Sequence, residues 1–219
     1  MRLPYKNRSE AAYILAEALK SYSGRSDLLV LALPRGGVPV AYEVARVLAA
    51  PLDLMLVRKL GVPDHEELAM GAIATGGIRF LNADVVQALA ITEEDIERVA
   101  QEEQRELRRR EQLYRGEHPL STIAAHCVIL IDDGVATGAT MRAAIAALRQ
   151  RHPAVIVVAV PVAPPDTVEV LRAAADDVIC PATPEPFISI GQWYEDFTQV
   201  SDKEVRDLLK HAWRHLPEA

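Results

Sequence analysis

The sequence predicts an α/β protein, a doubly wound parallel sheet with helices on both faces. Three observations lead there. Short aliphatic runs, "DLLVLALP", "HCVILID" and "AVIVVAVPV", have strand length and lack the polar alternation of a sheet with one wet face. Segments with helical spacing follow them: "GGVPVAYEVARVLAA", "ATMRAAIAALRQR" and "DTVEVLRAAA". Strands alternating with helices in this way build a covered parallel sheet, and no internal repeat or low-complexity linker interrupts the pattern.

Taken in order, the elements read as follows. Ser9 is placed to cap a first helix running to about Tyr22, with Ala12, Ile14, Leu15, Ala18 and Leu19 on one face. The first strand ends at Pro34, and "LDLMLVRKL" reads as one further strand. "GVPDHEELAMGAIATGG" is a polar excursion that returns as short strands at 70–74 and 78–81. Within it Asp64, His65, Glu66 and Glu67 resemble metal ligands in composition only; a mobile surface loop is the plainer reading. From Thr92 to Arg115, Glu and Arg are densely mixed while Ile96, Val99, Leu107 and Leu113 are widely spaced, which predicts a long charged surface helix. The strand and helix pattern resumes near 126 and runs to a last strand, "DVICPA". A proline-rich loop, an aromatic cluster and a closing helix capped by Ser201 follow. One domain is expected over 1–219, with a helical insertion at 82–118 and a separate C-terminal segment at 181–219.

Composition narrows the function. With 31 acidic against 24 basic residues the formal charge is -7, which argues against broad nucleic-acid binding and leaves room for a local cationic pocket. The first residues lack the apolar core of a signal peptide, and no stretch approaches the roughly 18 apolar residues of a membrane span. A cytoplasmic protein that does not engage membranes is expected. Cys127 and Cys180 sit at strand ends without metal-binding spacing and read as free thiols.

Ligands of an open parallel sheet bind beyond the carboxyl ends of its strands. Two turns belong there: "LPRGG", 33–37, and "DDGVATGAT", 132–140. The second has the parts of a phosphate cradle. Gly134 and Gly138 allow close backbone approach, Thr137 and Thr140 supply hydroxyls, and a helix begins near Gly138 with unpaired N–H groups. Its spacing differs from a Walker A loop, and Ala139 stands where that motif has lysine, so a single phosphate fits better than a triphosphate. Asp132 and Asp133 come just before the cradle. There they can accept hydrogen bonds from neighbouring sugar hydroxyls or hold Mg²⁺ through water. Taken alone, such a pair more often merely ends a strand and caps a turn; the cradle that follows it here favours the sugar phosphate.

"VILIDDGVATGAT" resembles the phosphoribosyl diphosphate (PRPP) motif of the type I phosphoribosyltransferases. "LPRGGVPVA", "VRKLGVP", "ELAMGAIA", "DDGVATGATMRAA" and "WYEDF" extend the resemblance over nearly the whole chain. It implies an enzyme that transfers ribose 5-phosphate from PRPP to a nitrogenous base and releases pyrophosphate, with Mg²⁺ as cofactor. Asp132 and Asp133 would bind the ribose hydroxyls and, indirectly, the metal. The turn Gly134, Val135, Ala136, Thr137, Gly138, Ala139 and Thr140 would complete the ribose and phosphate site, Ala136 to Thr140 wrapping the 5-phosphate. Pro34, Arg35, Gly36 and Gly37 match the pyrophosphate loop, for which a non-proline cis peptide at Arg35 or Gly36 is expected. Arg58 and Lys59 match the start of the family's flexible loop and would add cations to the pyrophosphate. Arg35, Lys59, Asp132 and Asp133 are the implied catalytic set.

Position 136 holds aspartate in the 6-oxopurine transferases and alanine here, as in adenine and uracil transferases, which weakens the case for hypoxanthine or guanine. Gly134 also departs from the usual aliphatic residue. The implied C-terminal hood at 181–219 gathers Phe187, Trp193, Tyr194 and Phe197, which either stack on the base or form a satellite core. Glu195 and Asp196 either read base edges or are exposed acids. A homodimer is a further possibility the resemblance leaves open. The rival reading is a PRPP-sensing regulator or adaptor without transfer.

Overall fold

The structure is a computed structural model that describes residues 2–63 and 65–217, apart from the side chains of Glu66 and Glu67. Five parallel strands form the central sheet in the order β2-β1-β6-β7-β8: β1 Leu28–Ala32, β2 Leu52–Leu54, β6 Cys127–Ile131, β7 Val155–Ala159 and β8 Asp177–Ile179. A second sheet is antiparallel, with β3 Val57–Val62, β4 His65–Ala74 and β5 Ile78–Leu81.

Alternate strand residues feed two cores, because successive side chains of a strand point to opposite faces. Leu28, Val30, Ala32, Cys127, Ile129 and Ile131 join a core with α1 Arg8–Ala18, α2 Gly37–Leu48, α4 Glu93–Arg115 and α7 Asp202–His215. Leu29, Leu31, Val128 and Leu130 join the other, under α5 Ala139–Arg149 and α6 Pro165–Arg172. This explains the unbroken aliphatic runs: both strand faces are buried. The chain leaves β1 for β2 on one side and β6 for β7 on the other. The sheet therefore has its switch point between β1 and β6, beyond which the turns 33–37 and 132–138 both open.

Several boundaries differ from the sequence reading. The first helix is capped by Asn7, whose Oδ1 accepts the Glu10 N–H, while Glu10 Oε2 accepts the Lys6 N–H; Ser9 lies inside the helix. The helix ends at Ala18, and Lys20–Tyr22 form a separate tight turn. "LDLMLVRKL" is two strands. At Met55 and Leu56 the chain leaves the central sheet, with Leu56 N–H held by Thr75 Oγ1 at 2.9 Å, and the apolar run continues without a glycine or proline to mark the break. The excursion also returns earlier than expected: β4 begins at His65, which pairs with Val62 of β3 across a shift in register from the Gly61–Ala69 pair. Asp64 and the side chains of Glu66 and Glu67 lie outside the described residues.

A short helix, α3 Ala83–Ala88, leads into the charged helix α4, which is capped by Thr92. Ile96, Ala100, Leu107 and Tyr114 form a buried stripe along α4. At its end Arg115 Nη1 meets Asp53 Oδ1 at 2.5 Å, a pair with side chains 6% and 2% exposed, and Asp53 Oδ2 also accepts the Ser121 N–H. Ser201 caps α7 as expected. Cys127 is buried and Cys180 half-buried, both free; burial pushes the Cys180 thiol up to about 11, in keeping with an inert packing role. Among the described residues no helix is long and apolar enough to cross a membrane.

Candidate active site

The turn after β6 and the first turn of α5 line a cleft of about 150 Å³, with Asp132 at one end, residues 134–141 along it and Ile190 closing one side. Val135 N–H bonds to Val162 O at 3.0 Å, and Thr167 Oγ1 donates to Ala136 O at 2.7 Å, so the segment after β7 and α6 both hold the loop in shape. The first N–H groups of α5 have no acceptor within the helix, which leaves a cluster of donors at its positive end for an anion.

The acidic pair divides. Asp132 lines the cleft and accepts the Asp133 N–H at 2.8 Å. Asp133 is buried and turned the other way: Arg8 of α1 places Nε and Nη2 both 2.8 Å from its Oδ2. Burial together with the neighbouring Asp133 charge holds the Asp132 carboxyl well above the usual range. Burial raises Asp133 too, against the pull of Arg8. A cation entering the cleft would relieve Asp132 in particular.

The turn after β1 packs against this pair. The Pro34–Arg35 peptide is cis, as expected at Arg35. At Gly36 a Cβ would lie 2.0 Å from Asp133 Oδ2, so the turn approaches the carboxylate as closely as only glycine permits. Arg35 Nη1 lies 3.6 Å from Asp202 Oδ1 at the start of α7, and Asp202 accepts the Tyr114 hydroxyl at 2.6 Å. Arg58 and Lys59 lie in a strand, as the aliphatic run predicted: they occupy β3, where pairing with Ile73 and Ala72 of β4 fixes their backbone. Arg58 Nε contacts Glu103 of α4 at 2.5 Å, and Lys59 is exposed.

The aromatic cluster resolves into a satellite core. Tyr194 stacks on Phe197 with centroids 4.9 Å apart and meets Tyr5 at 5.5 Å, and Phe187 and Trp193 pack against the same group. Tyr194 is buried, its hydroxyl donating to the Asp133 carbonyl at 2.5 Å. Arg8 lies over Phe197 at 4.1 Å. Glu195 and Asp196 are exposed.

The phosphoribosyl transferase domain family matches residues 6–196. The chain belongs to this family. Among its relatives are two Mycobacterium tuberculosis proteins, one named "Putative phosphoribosyl transferase Rv0571c", 43% identical over 215 residues. That alignment covers 98% of this chain and 48% of theirs, so the chain spans about half the length of these relatives. The crystal structure of TT1426 from Thermus thermophilus is 42% identical and superposes with a TM-score of 0.87, covering 96% of this chain and 99% of that one. AQ2163 from Aquifex aeolicus shares the fold alone, at 12% identity and a TM-score of 0.51 over 92% of this chain and 84% of its own.

This phosphoribosyl transferase domain also has site residues that no motif marked. Arg8 is 125 positions from the carboxylate it holds. Ile190 explains Gly134: a Cβ there would lie 2.6 Å from Ile190 Cγ2, so a side chain from the C-terminal segment fills the space an aliphatic residue at 134 would take. Thr167 and Asp202 were likewise silent in sequence, since each acts through partners distant in the chain: Ala136 for Thr167, Arg35 and Tyr114 for Asp202.

Proposed function

We propose that the protein is a PRPP- and Mg²⁺-dependent phosphoribosyltransferase that moves ribose 5-phosphate to a nitrogenous base. The observation that carries this reading is the convergence of the two turns at the sheet's switch point, with Asp132 between them. The 5-phosphate sits on residues 136–140 against the first turn of α5, the ribose hydroxyls bond to Asp132, and the diphosphate extends toward Pro34–Gly37 with Arg35, Arg58 and Lys59 as its cations. Asp133 fixes the backbone of the acidic turn through Arg8. The residues present fit Mg²⁺ held indirectly: Asp132 faces the cleft with its charge disfavoured, and a cation there would offset that cost.

Bond breaking at C1 of the ribose builds positive charge on the ring and negative charge on the leaving pyrophosphate, which departs as the base nitrogen bonds. Bound Mg²⁺ would supply charge neutralisation on the diphosphate. The chain's own part is orientation, cations on the leaving group and exclusion of water. No protein nucleophile is needed. Ala136 removes the proton acceptor that a 6-oxopurine would use, so adenine-like or pyrimidine-like acceptors are favoured.

A PRPP sensor without transfer is the second reading, favoured by one observation: Tyr194 and Phe197 are committed to packing. Incubation with PRPP, Mg²⁺ and a panel of bases, following pyrophosphate release, separates the two. Release with one base supports transfer. PRPP binding with no release from any base rules it out in favour of the sensor.

A further inference from the structure

Beside the phosphate cleft lies a second, narrower one, walled by Pro34 of the first turn, Thr140 of α5, Arg58 of β3, and Leu107 and Arg110 of α4. It joins the two turns on the side where the diphosphate of the proposed substrate would run. Its two cations are held at Nε by glutamates one turn apart on α4: Arg58 by Glu103 at 2.5 Å, Arg110 by Glu106 at 2.7 Å. Glu106 is shared, since Arg109 also binds it through two bonds of 2.7 and 3.0 Å. These arginines hold the Glu106 carboxyl down to about 2, so it remains an anion at any working pH.

A half-exposed pair four residues apart on a helix adds little to folding. Yet α4 presents Arg110 from a fixed backbone: Leu107 is buried one turn before it and Tyr114 one turn after, next to the buried Arg115–Asp53 pair. A charge so placed, at the rim of a cleft shared with Pro34 and Thr140, is suited to a phosphate group, which guanidinium recognises by paired N–H donors.

We propose that Arg110 is a pyrophosphate ligand contributed by α4, and that Glu106 is its resident counter-ion, exchanged for the diphosphate of the substrate. This rests on the phosphoribosyl reading above. The segment 82–118 then completes the leaving-group site, and the substrate must compete with two carboxylates to enter it.

Titration calorimetry with inorganic pyrophosphate and Mg²⁺ tests this on the intact chain. Arg110→Ala is expected to weaken binding about tenfold, with Arg110→Lys recovering part. Glu106→Gln is expected to tighten binding, because the competing anion is gone; a merely structural Glu106 would not do so. Arg98→Ala, which removes an exposed cation from the same helix, should match the wild type. Unchanged affinity in Arg110→Ala while Arg58→Ala loses affinity would overturn the Arg110 assignment and leave the transferase reading standing. Weaker or equal binding in Glu106→Gln would overturn the exchange. A wild type that binds neither pyrophosphate nor PRPP would overturn both.

Discussion

Replacing Arg8 with alanine would strip Asp133 of its partner in a setting that water barely reaches. The two side chains are 13% and 9% exposed, and two guanidinium nitrogens converge on one carboxylate oxygen at 2.8 Å. Breaking one side of such a buried pair costs about 3–5 kcal/mol, because the remaining charge is left unpaired. The lost contact with the Phe197 ring adds roughly 1 kcal/mol. The sum, on the order of 5 kcal/mol, is a large part of the roughly 5–15 kcal/mol that stabilises a domain. For a chain of this length it corresponds to a Tm lower by about 10–20 °C. Adding Asp133→Asn to Arg8→Ala removes the orphan charge and should recover about 1–3 kcal/mol, although Asp133→Asn alone destabilises. Urea unfolding of the four proteins closes the cycle. A loss below about 1 kcal/mol in Arg8→Ala, or no recovery in the double variant, would refute the view that this pair is the internal anchor of the acidic turn.

Asp132→Asn should stabilise the ligand-free protein at neutral pH. The folded-state pKa of Asp132 is raised, so its stabilising contribution is present below the ordinary value of 3.8 and is lost as pH rises through the folded value; each unit of elevation is worth about 1.4 kcal/mol. Melting curves of the variant and wild type should therefore separate above pH 4 and converge below it; a gap that widens in acid contradicts the assignment. Gly134→Ala drives a Cβ to 2.6 Å from Ile190 Cγ2 and should cost about 1–3 kcal/mol and loosen ligand binding, with Ile190→Ala in the same chain relieving most of it in a thermal-shift assay. Arg115→Ala should cost about 3–5 kcal/mol in denaturant unfolding by stranding Asp53, and Arg115→Met with Asp53→Leu should recover much of that loss.

What the sequence made legible is what local pattern encodes. The aliphatic runs named the buried strands because both of their faces are covered, and "DDGVATGAT" named the loop because its glycines and threonines act on their own backbone. Boundaries set by tertiary pairing were illegible. The break at Met55–Leu56 has no breaker residue, and β4 starts at His65 where that residue pairs with Val62 of β3. The same holds within the site. Asp132 and Asp133 look equivalent in sequence, yet Arg8 turns one of them away from the cleft. Arg58 was visible as a cation beside Lys59, but Glu103, which holds it, was one of many acids on a charged helix. The aromatic cluster was legible as a cluster, while its packing depended on Tyr5 at the far end of the chain.

The contact between position 134 and Ile190 carries an implication for reading other chains. The same small volume is filled once, either by a side chain on the loop or by one reaching over from the C-terminal segment. Two chains of this fold could thus exchange a residue across more than fifty positions of sequence and keep the same wall. A glycine at the third place of "DDG" then works as an address label. Here it marks a C-terminal segment that comes down onto the loop after β6 and closes one wall of its cleft.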